Sequence, residues 1–205
     1  MEKLIIIGAG QQGRICKRLA IENGIEVIGF VDDYVENEVE GIKVYKNIED
    51  IENYKDYKYH IAFGKIEIRK KFVDKIQELG LETINLIDKT ALIEEGAKIG
   101  KGNYIYKNAI IYASSKIGDN NIINCKAVCA TDSVIGNNNN ISMGCNICGG
   151  VNIGDNCYIG CQASVVSGIK IGNNVTIGGS SFVMEDIDDN KFYVGVPAKE
   201  KKWEY

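Results

Sequence analysis

The apolar run KLIII at residues 3–7 leads straight into Gly8-Ala9-Gly10-Gln11-Gln12-Gly13, a G-x-G-x-x-G loop opening a helical stretch with Ile15, Leu19 and Ile21 on one face. Such a loop turns backbone N–H groups and the positive end of a helix toward a phosphate. A second apolar run, 26–31, ends at Asp32-Asp33, about twenty residues beyond Gly13, the spacing at which a Rossmann unit sets a carboxylate against a ribose hydroxyl. A third run, 59–63, closes on Gly64-Lys65 and feeds an amphipathic helix carrying Ile68, Phe72, Ile76 and Leu79. The chemistry on offer is anion and nucleotide binding. It admits a nicotinamide cofactor, a nucleotide-linked substrate, or a glycine turn that binds nothing. Only some 88 residues make up this part, half a normal dinucleotide domain, and nothing after it offers a hydride-transfer site, so the nicotinamide reading ranks behind the nucleotide-linked one. The single histidine, His60, lies on the third run, where a structural role at a strand end is the expectation.

Beyond this part the chain changes period. An aliphatic residue recurs every six positions: Ile93, Ile99, Ile105, Ile111, Ile117, Ile123, then Ile135, Ile141, Ile147, Ile153, Ile159, Val165, Ile171, Ile177 and Val183, with the small apolar Cys129 in the one remaining slot. The residue two places earlier is mostly small or Asn, as at Ala97, Asn103, Ala109, Ser115, Asn121, Ala127 and Ala163. A period of six is neither helical nor a run of long alternating strands; it suits a prism whose faces are short strands and whose corners are tight turns, three hexads to a coil. The aliphatic column then points inward, and Gly or Asn supplies corner conformations that other residues resist. An unbroken register has no room for a long inserted loop, so any site must be made from coil corners and neighbouring chains.

Composition narrows the partners. With 24 basic against 28 acidic residues and no basic block, the chain lacks the electrostatic footprint of a nucleic-acid binder. No segment approaches the ~18 apolar residues of a membrane span, and the first apolar run is too short for a signal peptide, so a cytoplasmic protein with free thiols is expected. Cys145-x-x-Cys148 with Cys157 and Cys161 has the count of a zinc site, but Cys145 and Cys157 fall in the small-residue column, whereas Cys148 and Cys161 fall one and two places after the aliphatic one. They need not converge, and no metal is expected.

The whole chain resembles a group of bacterial hexapeptide-repeat acetyltransferases that includes sialic acid O-acetyltransferases and the N-acetyltransferases of nucleotide-linked amino sugars. The resemblance rests on KLIIIGAGQQGR, VIGFVDD, IAFGKIEIRKK, NLIDKTALI and the closing VGVPAK at 194–199. It implies a Rossmann-like α/β domain at 1–88 holding the nucleotide sugar, with Gly10, Gln11, Gln12, Gly13, Asp32, Asp33 and Gly64 as its binding residues. It implies a left-handed parallel β-helix of five coils at 89–186 using acetyl-CoA, followed by a C-terminal tail at 187–205; read as residues alone, Trp203 and Tyr205 most simply cap the last coil or cover a neighbour. A homotrimer is implied, with the donor lying between subunits. The backbone N–H of Gly149 then matches the oxyanion donor, Cys161 and Gly179 line the pantetheine groove, and Asn140 stands where a second family histidine would face the cofactor.

The departure from the group is at the catalytic base. Thr131 stands where relatives carry a histidine, and Asp132 replaces the glutamate beside it. Thr131 plus eighteen residues is Gly149, one full coil on, so the two should stack at one corner. A missing general base costs ~10²- to 10⁴-fold, and an alcohol needs that base more than an amine does, which favours N-acetylation of an amino sugar over O-acetylation. A carboxylate of ordinary pKa about 3.9 is a weak base, so Asp132 either gains basicity from burial or holds the ammonium and passes its proton to water. A degenerate member that binds without catalysis is the remaining alternative.

Overall fold

The computed structural model describes residues 2–202. It divides into two compact units, residues 1–87 and 88–205.

In the first unit, β1 (Lys3–Ile7), α1 (Gln11–Glu22), β2 (Glu26–Val31), β3 (Glu38–Val39), β4 (Ile42–Tyr45), β5 (Lys58–Ile61), α2 (Ile66–Glu78) and β6 (Glu82–Thr83) build one six-stranded sheet, ordered β3-β4-β2-β1-β5-β6. Every pairing is parallel except β3 with β4. β1 is apolar on both faces because helices and loops cover both, and Leu4, Ile5, Ile6 and Ile7 are wholly buried. Ile5, Ile7, Tyr59 and Ile61 meet Ile76 of α2, with Phe72 and Leu79 packed around them. On α1 the expected apolar face is shifted: Gly13, Cys16, Leu19 and Ala20 are buried, while Ile21 is 56% exposed. Small residues at 13, 16 and 20 recur at helical spacing and let the helix approach the sheet closely, so that stripe, rather than the larger isoleucines, faces inward.

The second unit is a left-handed β-helix. Sixteen two-residue strands run from Leu92–Ile93 to Phe182–Val183, which over three faces is five complete coils and one further rung. Each residue pairs with the one eighteen positions on, Ile105 with Ile123 and Ile147 with Val165 for example. From Ile105 to Val183 the inward column is 0–3% exposed. The column two places before it is also buried, except at the half-buried Ile169, and where it is polar it is wired. Asn103, Asn121 and Asn139 each accept the backbone N–H of the residue one coil on, at 2.6–2.8 Å, and donate to Gly118, Gly136 and Gly154 carbonyls at 2.9 Å. Positive φ falls at the corners on Asn108, Asn120, Asn138, Asn156 and Asn174, residues that tolerate it.

The stretch expected as a tail is not separate over its described residues. Past Val183 the spacing contracts from eighteen to sixteen, so that Ile187 bridges Ile171 and Phe192–Val194 pairs in parallel with the rung at Thr176–Ile177. Lys199–Glu200 then returns antiparallel to it and ends the sheet. An apolar prism end leaves a row of unpaired backbone groups, and this short hairpin closes one face of it. Trp203 and Tyr205 lie outside the described residues.

Candidate functional site

The glycine loop is shaped by two close approaches. Gly8, at φ 104°, donates to Val31 at 2.8 Å, and a Cβ on Gly13 would fall 1.9 Å from the Gly8 carbonyl oxygen. Only glycine fits at 13, and the fit brings the start of α1 onto the end of β1. Gly10 is different: a Cβ there would meet nothing within 4 Å, so its side is open. α1 begins at once beyond it, with no side-chain cap and no acidic residue in its first turn, which leaves its opening amides to an external anion. In the sheet, β1 lies between β2 and β5, so the chain leaves it in opposite directions. That is a topological switch point, where open α/β sheets take their ligands.

The acidic pair does not act as a pair. Asp32 is buried, and its carboxylate accepts the amides of Ala9 at 2.9 Å, Tyr34 at 2.9 Å and Val35 at 3.1 Å. It fastens the glycine loop to the turn after β2 rather than facing a ligand, and Asp33 is the exposed carboxylate of the two. Gln11 is exposed, and Gln12 is half-buried against Cys16. Gly64 is exposed at the end of the β5 loop, and Arg69 of α2, only 1% exposed, donates to the Phe63 carbonyl at 2.9 Å just before it. Burial lowers the Arg69 pKa to about 10, so the guanidinium is charged at neutral pH. Sequence reasoning misses Arg69, and the one signal for it is position: it sits three places before Phe72 and seven before Ile76, on the apolar face of its helix.

His60 is wholly buried, with Nδ1 3.1 Å from the Ile84 carbonyl, and burial lowers its pKa to about 4. It is a neutral structural residue, and its Nε2 has no hydrogen-bond partner among the described residues.

On the prism, Thr131 and Gly149 stack at one corner. The Gly150 amide donates to the Thr131 carbonyl at 3.0 Å, and a Cβ on Gly149 would lie 3.2 Å from that oxygen. The Gly149 N–H itself has no partner among the described residues. Beside Thr131, Asp132 adopts φ 61° with an exposed side chain. Cys161 and Gly179 stack in the same way at another corner, where Ser180 donates to the Cys161 carbonyl at 2.8 Å. Asn140 is half-buried on the strand pairing with Ile122 and Tyr158, and that face lies opposite the Thr131–Gly149 edge. A single chain therefore does not gather these residues at one point.

The cysteines belong to the wiring. Cys145 donates to the Gly160 carbonyl and Cys157 to the Gly172 carbonyl, each at 3.0 Å. Cys157 thereby takes over the donor role that Asn103, Asn121 and Asn139 play in earlier coils. Burial raises the Cys145 thiol to about 12 and the Cys157 thiol to about 11, so both stay protonated. Among the described residues, no group of three His, Cys, Asp or Glu side chains is placed to hold a metal ion.

Known proteins match this architecture. Residues 3–76 match the PglD N-terminal domain, and residues 150–184 the bacterial transferase hexapeptide, a family of six repeats. Over 98% of this chain and 100% of the other, the fold superposes with TM-score 0.92 and 28% identity on the acetyltransferase domain of PglB from Neisseria gonorrhoeae. PerB from Caulobacter crescentus, solved with CoA and GDP-perosamine, gives 0.90 and 26% over 98% of both chains. Uncharacterized protein L142 of Acanthamoeba polyphaga mimivirus is 33% identical over 101 residues, which span 49% of this chain and 20% of that protein. The prism and these matches define the class: the chain is a hexapeptide-repeat acyltransferase. Its front unit matches the PglD N-terminal domain, its prism matches the transferase hexapeptide, and nearly the whole chain is similar to the acetyltransferase domain of PglB.

Proposed function

We propose that this chain is an acetyl-CoA-dependent N-acetyltransferase acting on an amino sugar carried by a nucleotide, in the cytoplasm, for surface glycan assembly. The front unit, 1–88, binds the nucleotide through the amides at Gly10, Gln11, Gln12 and Gly13, with Asp33 and the backbone at Gly64 beside them and Asp32 holding the loop. The prism carries out the transfer. The observation that carries the reading is the free Gly149 N–H stacked on Thr131, a preorganised donor at a corner without an imidazole. The amine attacks the thioester carbonyl, the oxygen gathers charge against Gly149, the C–S bond breaks, and CoA leaves as its thiol after taking up a proton. Asp132 holds the ammonium and passes its proton to water; Thr131 orients the amine. Bound acetyl-CoA supplies the acyl group and the leaving thiolate, with Cys161 and Gly179 along the pantetheine arm.

Asn140 and Gly149 lie on opposite sides of one prism, so both reach one cofactor only if separate copies contribute them. Three prisms packed around a common axis accomplish this, and the active form is a homotrimer. Sedimentation should show a trimer whose dissociation abolishes CoA binding; a monomer that binds CoA tightly would refute it. For the chemistry, thiol release from acetyl-CoA is followed with a nucleoside-diphosphate amino sugar and with its hydroxyl counterpart. Release is expected with the amine and not with the alcohol. Equal release with both, or with the alcohol alone, would make the enzyme an O-acetyltransferase.

A further inference from the structure

Tyr34 stands out in the front unit. The residue is 93% exposed, yet the backbone on either side of it is fastened. The Asp32 carboxylate accepts the Tyr34 and Val35 amides, and Lys46 Nζ donates to the carbonyls of Asp33 at 3.0 Å and Val35 at 3.2 Å. The other oxygen of that same Asp32 carboxylate accepts the Ala9 amide of the glycine loop. One buried carboxylate thus spaces the phosphate-binding loop and the tyrosine from each other. A bared ring on a braced loop is a preformed flat platform, which loses little entropy when a flat partner settles on it.

We infer that Tyr34 is the stacking platform for the nucleobase, with the exposed Asp33 carboxylate beside it to accept a base N–H. The inference rests on the reading of the glycine loop as the phosphate site. A diphosphate on the opening amides of α1 leaves its nucleoside free to extend along the end of β2, and the turn after β2 carries an aromatic ring next to an acceptor. Stacking of this kind is tolerant of base identity, whereas the carboxylate favours bases with a ring N–H on their pairing edge, as uracil and guanine have and adenine and cytosine lack.

Calorimetry with UDP, GDP and inorganic pyrophosphate separates this inference from the reading beneath it. Wild-type protein should bind a nucleoside diphosphate more tightly than pyrophosphate. Tyr34→Ala should lose about 10-fold or more in nucleoside diphosphate affinity with pyrophosphate binding unchanged, and Tyr34→Phe should keep the wild-type affinity. Equal nucleoside diphosphate affinity in wild type and Tyr34→Ala overturns the platform and leaves the phosphate loop standing. Failure of the wild type to bind any of the three removes the loop reading, and the platform with it.

Discussion

The two units hold themselves together by opposite means. In the β-helix one arrangement repeats: an aliphatic residue inward, a small or amide residue two places earlier, and a bond to the residue one coil on. In the front unit each contact occurs once: Gly13 against Gly8, Asp32 across three amides, Arg69 on the β5 loop, His60 on Ile84. A repeating solution divides its burden among many equivalent positions, while a unique one concentrates it. The front unit should be the more brittle of the two, and single changes there should propagate to its ligand site.

The sharpest way to break the comparison is at Gly13. Gly13→Ala sets a methyl 1.9 Å from a backbone oxygen, and the front unit should lose about 3 kcal/mol or more, read as a fall in its thermal midpoint. Gly10→Ala, with nothing within 4 Å, should cost no more than about 1 kcal/mol and act on nucleoside diphosphate binding instead. On the prism, Asn139→Ala leaves the Cys157 amide and the Gly154 carbonyl without their partner, at about 2–4 kcal/mol in denaturant unfolding. Cys157→Asn, which restores the amide of earlier coils, should change stability by no more than about 1 kcal/mol. If Asn139→Ala proves as mild, the ladder bears little of the prism's stability.

Acid should separate the units further. His60 is held neutral in the folded front unit at a pKa of about 4, below the ordinary ~6.5 of an unfolded histidine. Above pH ~6.5 both states are neutral there and His60 adds no pH dependence. As pH falls from about 6.5 to about 4 the unfolded chain takes up the proton first, so stability declines by up to about 3 kcal/mol; below about 4 the folded state binds it too and the decline stops. Subtracting the pH profile of His60→Leu from that of the wild type should isolate this slope, and coincident profiles would show that burial costs the imidazolium little.

Legibility in the sequence follows the same division. The period of six is long-range and redundant, so the inward column is legible from spacing alone, and the placing of Cys145 and Cys157 in the small column follows from counting. The hydrogen bonds of Asn103, Asn121 and Asn139 are not legible that way, because a small column and a wired column have the same spacing. In the front unit, a carboxylate at the end of β2 is equally consistent with holding a ribose and with holding three amides; Asp32 does the latter, and only the partners' positions decide it. The closing hairpin is hidden because its pairing slips from eighteen to sixteen, which ends the periodic signal while the chain continues to pair. Asn140 and Gly149 lie on different sides of one prism, and a single sequence does not show how copies meet.

The most direct test is of the corner itself. Asp132 sits at φ 61°, a conformation that Asn accepts as readily, so Asp132→Asn changes the charge and leaves the turn intact. With melting midpoint and CoA affinity unchanged, the single-turnover rate of acetyl transfer to a nucleotide-linked amino sugar should fall by ~10²-fold or more, and Thr131→Ala should fall by less. An Asp132→Asn enzyme that transfers acetyl at the wild-type rate would contradict the account, leaving the chain to supply positioning and the Gly149 contact alone.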